Sequence, residues 1–132
     1  MEETALSKPE AMNKKVLIID DEADLAEMMS LCLESEGFSV DMSFNGEEGL
    51  EKAQALVPDL ILLDILMPEM DGWEFCRRLR ANPNPKIGHI PIVVMTALQV
   101  LEKEKTMAMM DVSSVVIKPF KEEDVIQILK NI

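Results

Sequence analysis

Short runs of β-branched and other apolar residues alternate along the chain with longer stretches whose apolar positions recur at helical spacing. The runs are VLIID at 16–20, SVDMSF at 39–44, LILLD at 60–64, IVVMT at 92–96 and SVVIK at 114–118. After the first run, Leu25, Met28, Met29, Cys32 and Leu33 follow an i, i+3, i+4, i+7, i+8 stripe, and Gly37 stands where such a helix stops. The same reasoning predicts helices from Gly49 to Leu56, from Trp73 to Arg80 after the Asp71-Gly72 turn, from Gln99 to Met110, and from Glu122 to Lys130. A strand followed by a helix, five times over, implies an α/β fold: one parallel sheet, doubly wound, with right-handed crossovers and helices on both faces. Val16 to Ile19, Leu60 to Leu63 and Ile92 to Met95 show no polar alternation, as strands covered on both sides require. Residues 1–13 carry no periodic pattern and read as a flexible tail, which leaves 14–132 as the folded domain.

Composition narrows the partners. The chain has 132 residues, enough for one domain, and a chain of ~150 residues buries roughly 68–70% of its unfolded surface without needing disulfides or metals. Thirteen Lys and Arg against 25 Asp and Glu leave a net charge of −12, which argues against nucleic acid and anionic membranes, since both are held by Lys and Arg. An apolar content of 48% excludes a wholly disordered acidic chain. Cys32 and Cys76 form no CxxC motif, and their predicted helices cover opposite faces of the sheet, so neither zinc binding nor a disulfide is expected. The N-terminus lacks a signal peptide's apolar core and no run approaches the ~20 apolar residues of a membrane span, so the expected location is the cytoplasm.

In a parallel sheet all strands end at one edge, and ligands bind there where the strand order reverses. The strand-end residues are Asp20 and Asp21, Asp64, Thr96 and Lys118. In a flavodoxin-like order 2-1-3-4-5 the first and third strands are neighbours, which brings Asp20, Asp21 and Asp64 into one pocket. Two like charges ~4 Å apart repel by about 4 kcal/mol at an effective dielectric of ~20, so such a pocket calls for a cation. Oxygen-only ligands suit Mg²⁺ together with a phosphate oxygen, to which Thr96 and Lys118 can add contacts. Singly, Asp20, Asp21 and Asp24 read as helix-opening acids and Lys118 as a surface lysine. Asp64 interrupts the apolar stretch LILLDILM, where a charge without a role is costly.

These residues, in this order, resemble the receiver domain of two-component response regulators over about Lys14 to Ile132. The resemblance rests on Asp20-Asp21, on Asp64 within DILMPEMDGW, on Thr96-Ala97, and on Lys118-Pro119-Phe120. It implies a phosphoacceptor signalling domain rather than an enzyme, with Asp64 taking a phosphoryl group from a sensor histidine kinase or a phosphotransfer protein. It further implies that Asp20, Asp21, Asp64 and the backbone carbonyl of Leu66 hold Mg²⁺, that Thr96 and Lys118 meet the phosphoryl oxygens, and that Lys118-Pro119 is a candidate cis peptide. The chain departs from the pattern at Val115, where the family carries a switching Tyr or Phe; Asp111, Ser113 and Ser114 also replace a usual Gly and acids.

Two other functions compete. A receiver fold kept for phosphorylation-independent interaction or homodimerisation is compatible with Val115. A magnesium-dependent phosphohydrolase would carry an acid two residues after its nucleophile, where this chain has Leu66. Met107, Met109 and Met110 suggest core packing or an adaptable partner surface, Arg77, Arg78 and Arg80 a solvated helix face, and His89 a loop residue without a phosphotransfer role. The resemblance fits a single-domain regulator as well as part of a larger regulator or hybrid kinase.

Overall fold

The structure, a computed structural model, describes residues 14–97, 112–118 and 121–130. Five parallel strands, β1 (Lys15–Ile19), β2 (Ser39–Ser43), β3 (Leu60–Asp64), β4 (Ile92–Ala97) and β5 (Ser114–Lys118), pair in the order β2-β1-β3-β4-β5. That is the order expected from the sequence. Alternate side chains of the central strands enter two separate cores. Leu17, Ile19, Ile61, Leu63 and Val94 join one; Val16, Ile18, Leu60, Leu62 and Val93 join the other.

Helices α1 (Ala23–Ser35), through Ala26, Met29 and Leu33, and α5 (Glu122–Lys130), through Val125 and Leu129, close the second core. Helices α2 (Gly46–Leu56), α3 (Gly72–Arg80) and the short α4 (Pro85–Gly88) close the first. The edge strand β2 differs from the central ones: exposed Ser39 and Asp41 alternate with half-buried Val40 and Met42, because only one of its faces meets a core.

Local chemistry sets the helix ends. Gly37, at φ 101°, follows α1 as expected. Helix α2 starts earlier than the expected Gly49, because the Asn45 side chain accepts a hydrogen bond from the Glu48 N–H at 2.8 Å and caps the turn. Asp71 caps α3 in the same way, through the Glu74 N–H at 2.9 Å. The helical turn α4 is an element that periodicity missed: four residues are too few to show a stripe, although Asn84 caps it and Pro85 opens it. Arg80 is half-buried rather than part of a solvated face, because its guanidinium donates to the Gly88 and Ile90 carbonyls at 2.9 and 2.8 Å. Arg77 and Arg78 are exposed and pair with Glu74.

Cys76 is buried in the first core and Cys32 lies on α1, which covers the second, so the cysteines sit on opposite faces and are not joined by a disulfide. Burial pushes the Cys76 thiol up to about 12, which keeps it protonated. The expected tail at 1–13, the helix from Gln99 to Met110 with its methionines, Asp111, and Pro119-Phe120 all lie outside the described residues. Among the described residues no helix is long and apolar enough to cross a membrane.

Candidate functional site

The site is assembled at the strand ends. Asp20 follows β1 directly and is only 1% exposed; its N–H extends the β1–β2 ladder to the Ser43 carbonyl at 3.1 Å. One carboxylate oxygen of Asp20 accepts from the Glu22 N–H at 2.9 Å, which holds the side chain over the start of α1. Asp21 is exposed. Asp64 closes β3, is 4% exposed, and accepts from the Leu66 N–H at 3.3 Å. The neighbouring strands β1 and β3 bring Asp20, Asp21 and Asp64 together so that one oxygen from each lies within 4.8 Å of the others. Like charges at that separation repel by roughly 3 kcal/mol at an effective dielectric of ~20.

Asp21, Asp64, Leu66, Thr96 and Ala97 line an open cleft of about 380 Å³. Thr96 ends the buried run of β4, and its hydroxyl is buried with no hydrogen-bond partner among the described residues. A buried hydroxyl beside carboxylates is suited to an acceptor oxygen brought in by a ligand. Leu66 is 60% exposed because Ile65 and Met67 on either side of it are anchored in the core. A 2.8 Å bond from the Gly72 N–H to the Ile65 carbonyl closes the loop between β3 and α3.

The sequence-predicted residues therefore converge, with two qualifications. Lys118 ends β5 with its backbone paired to Ala97, and its side chain lies outside the described residues. Pro119 lies outside the described residues as well. Val115 pairs with Val94 and packs half-buried against the first core, so an aliphatic group fills the position where an aromatic ring was expected by resemblance.

Sequence reasoning missed two features. Glu22 lines the cleft together with Asp21 and Asp64, and its signal was its place directly after Asp21. Glu48, reached through the Asn45-x-x-Glu48 capping pattern, accepts from the Ser43 hydroxyl at 3.1 Å and the Phe44 N–H at 3.2 Å. Those two bonds hold its carboxyl below the usual carboxylate range, the Phe44 bond contributing most.

The donor set fits a hard divalent cation: three carboxylates converge, and hard oxygen ligands are what Mg²⁺ takes.

Comparison with known proteins places this arrangement. The response regulator ArlR of Staphylococcus saprophyticus is 43% identical over 83 residues, 63% of this chain and 36% of that protein. The DNA-binding response regulator MtrA of Mycobacterium bovis is 40% identical over 88 residues, 67% of this chain and 36% of its own length. The match thus spans about a third of these curated relatives. Among solved structures, the chemotaxis response regulator CheY4 of Vibrio cholerae superposes with a TM-score of 0.81 at 30% identity, covering 89% of this chain and 97% of that one. The response regulator receiver domain model matches residues 16–130, and with the sheet order and the strand-end acids already in place, the chain belongs to that family.

Proposed function

We propose that the domain is a phosphoacceptor of a two-component system, with Asp64 as the residue that receives the phosphoryl group from a phosphohistidine on a sensor histidine kinase or phosphotransfer protein. The carrying observation is the convergence of Asp20, Asp21 and Asp64 within 4.8 Å, beside a buried Thr96 hydroxyl that has no partner among the described residues. An Asp64 oxygen attacks phosphorus, the phosphorus–nitrogen bond breaks, and the released imidazole takes a proton from water. Asp20 and Asp21, with Asp64 and the Leu66 carbonyl, are the groups that would hold Mg²⁺. When bound, the ion neutralises charge on the transferring group. Asp20 and Asp21 then act as holding groups, Thr96 offers its hydroxyl to a phosphoryl oxygen, and Ala97 leaves room beside it. Lys118 would add a positive charge at the same oxygens. The domain turns over no substrate of its own, and it acts in the cytoplasm.

Incubation of the chain and its Asp64→Asn variant with a small phosphodonor and Mg²⁺, read by intact mass, tests this. One added phosphoryl group on the parent and none on the variant is expected. An unmodified parent would reject the reading, and repeated turnover of the donor would favour a phosphohydrolase.

Val115 favours a second reading of the output. With no ring to swing inward, the change that follows phosphorylation is smaller or differently routed than in relatives with an aromatic residue. NMR shifts along residues 97–125 as large as those at the site, on phosphorylation, would sink this.

A further inference from the structure

We infer that the first turn of α2 is a brace that sets the spacing of the three site carboxylates, with Glu48 as its positioning residue. The inference rests on the phosphoacceptor reading of the cleft. Three like charges within 4.8 Å push apart, so groups outside the cluster must hold the strand ends that carry them. Mg²⁺ demands near-ideal geometry, which makes that spacing a determinant of affinity.

The turn reaches Asp20 by two routes. Ser43 is fully buried at the end of β2, and its carbonyl accepts the Asp20 N–H at 3.1 Å. The Ser43 hydroxyl lies 3.1 Å from the Glu48 carboxylate and 3.0 Å from the Asn45 carbonyl. Glu48 also accepts from the Phe44 N–H at 3.2 Å, while its own N–H is held by Asn45 at 2.8 Å. The Glu48 carboxylate therefore ties the last residue of β2, Ser43, to Phe44, while the Glu48 N–H holds the Asn45 side chain. The second route is packing. A Cβ added at Gly49 would stand 2.7 Å from the Ile19 side chain, and Ile19 precedes Asp20.

The same turn reaches the other carboxylate-bearing segment. A Cβ at Gly46 would stand 2.6 Å from the Met70 sulfur. Met70 is buried in the loop that runs from Asp64 through Leu66 to α3. One helical turn thus touches the last residue of β1, directly before Asp20, and the segment that follows β3. Glu48 acts through the backbone and meets neither the metal ligands nor the phosphoryl group, so its part is positioning rather than catalysis.

Calorimetric titration of Mg²⁺ into the whole chain tests the brace, with the folded fraction of every variant checked by circular dichroism at the same temperature. Glu48→Ala should weaken Mg²⁺ binding about ten-fold, the low end of what outer-shell partners contribute. Glu48→Gln keeps an acceptor oxygen and should stay within about two-fold of the parent. Asn84→Ala removes the cap of α4, away from the cluster, and should leave the affinity unchanged. If Glu48→Ala does not fold, Ser43→Ala reads the same coupling and should also weaken binding. A folded Glu48→Ala, or Ser43→Ala in its place, that binds Mg²⁺ as the parent does overturns the brace alone, as does an equal loss in Asn84→Ala. A parent chain that binds no Mg²⁺ overturns the acidic-site reading and the brace together.

Discussion

The two edges of the sheet treat carboxylates in opposite ways. At the edge where the strands begin, Asp59 is tied to the backbone of β1: its side chain accepts the Lys15 N–H and its own N–H donates to the Lys15 carbonyl, both at 2.8 Å. The cavity beside it, about 30 Å³ and lined partly by Phe38, Leu60 and Leu129, is the size of one water. At the edge where the strands end, three carboxylates cluster within 4.8 Å, and two of them, Asp21 and Asp64, line a cleft of about 380 Å³. Both edges belong to the same strands and cores, so the contrast isolates what the site adds. One edge uses an acid to close the fold, and the other crowds acids at a cost that a cation bound there would offset.

The largest expected consequence is metal-linked stability. At a Mg²⁺ concentration 100 times Kd, the parent should gain about 2.7 kcal/mol, and Asp20→Asn or Asp64→Asn should gain far less. Thermal unfolding with and without the ion checks this, and equal gains in all three proteins would break the contrast. Next, without metal, the same edge should respond to charge removal by becoming more stable. Asp64→Asn should raise stability by on the order of 1–2 kcal/mol through relief of repulsion. Asp59→Ala, at the other edge, should lower it by about 1 kcal/mol through loss of its hydrogen bond. Urea titrations of the two variants would show shifts of the same sign if the edges were equivalent.

A smaller effect sharpens the comparison from the flank of the molecule, where an acid is paired with cations instead of other acids. Hydrogen bonds from Arg77 and Arg78 hold the Glu74 carboxyl down to about 2. A depressed carboxylate stabilises the fold above its ordinary value near 4.5 and loses that contribution as pH falls toward 2. The stability difference between the parent and Glu74→Gln should therefore be present at pH 6 and shrink between about pH 4.5 and 2. Because the pair is exposed, the effect should be small and should weaken further in salt. A difference that grows with acidification would contradict this assignment.

Much of the fold was legible because burial on both faces leaves a direct trace. Runs such as LILLD cannot alternate when both sides of the strand are covered, and β3 runs Leu60–Asp64 as read. The first helix was legible for the complementary reason: Met29 and Leu33 of its stripe meet one core only, although Met28, read into the same stripe, is 54% exposed. Helix α2 was misplaced at its start because its first turn is set by Asn45 and Glu48, whose capping is local hydrogen bonding with no apolar period. The turn α4 was invisible because Ile87 alone anchors it in the core. Arg80 was misread because its carbonyl partners lie across a loop, and spacing along a helix does not reveal them.

The sequence alone determined the alternation of strands and helices, the polar residues that end the apolar strands, and the acids from which the proposed phosphoacceptor site is built. Each follows from local periodicity and residue chemistry. The tertiary structure decided that Asp20, Asp21 and Asp64 meet within 4.8 Å, that Thr96 is buried without a partner among the described residues, and that one turn of α2 contacts both Ile19 and Met70. Those facts depend on strand order and on distances between segments far apart in the chain, which only packing around two cores brings together.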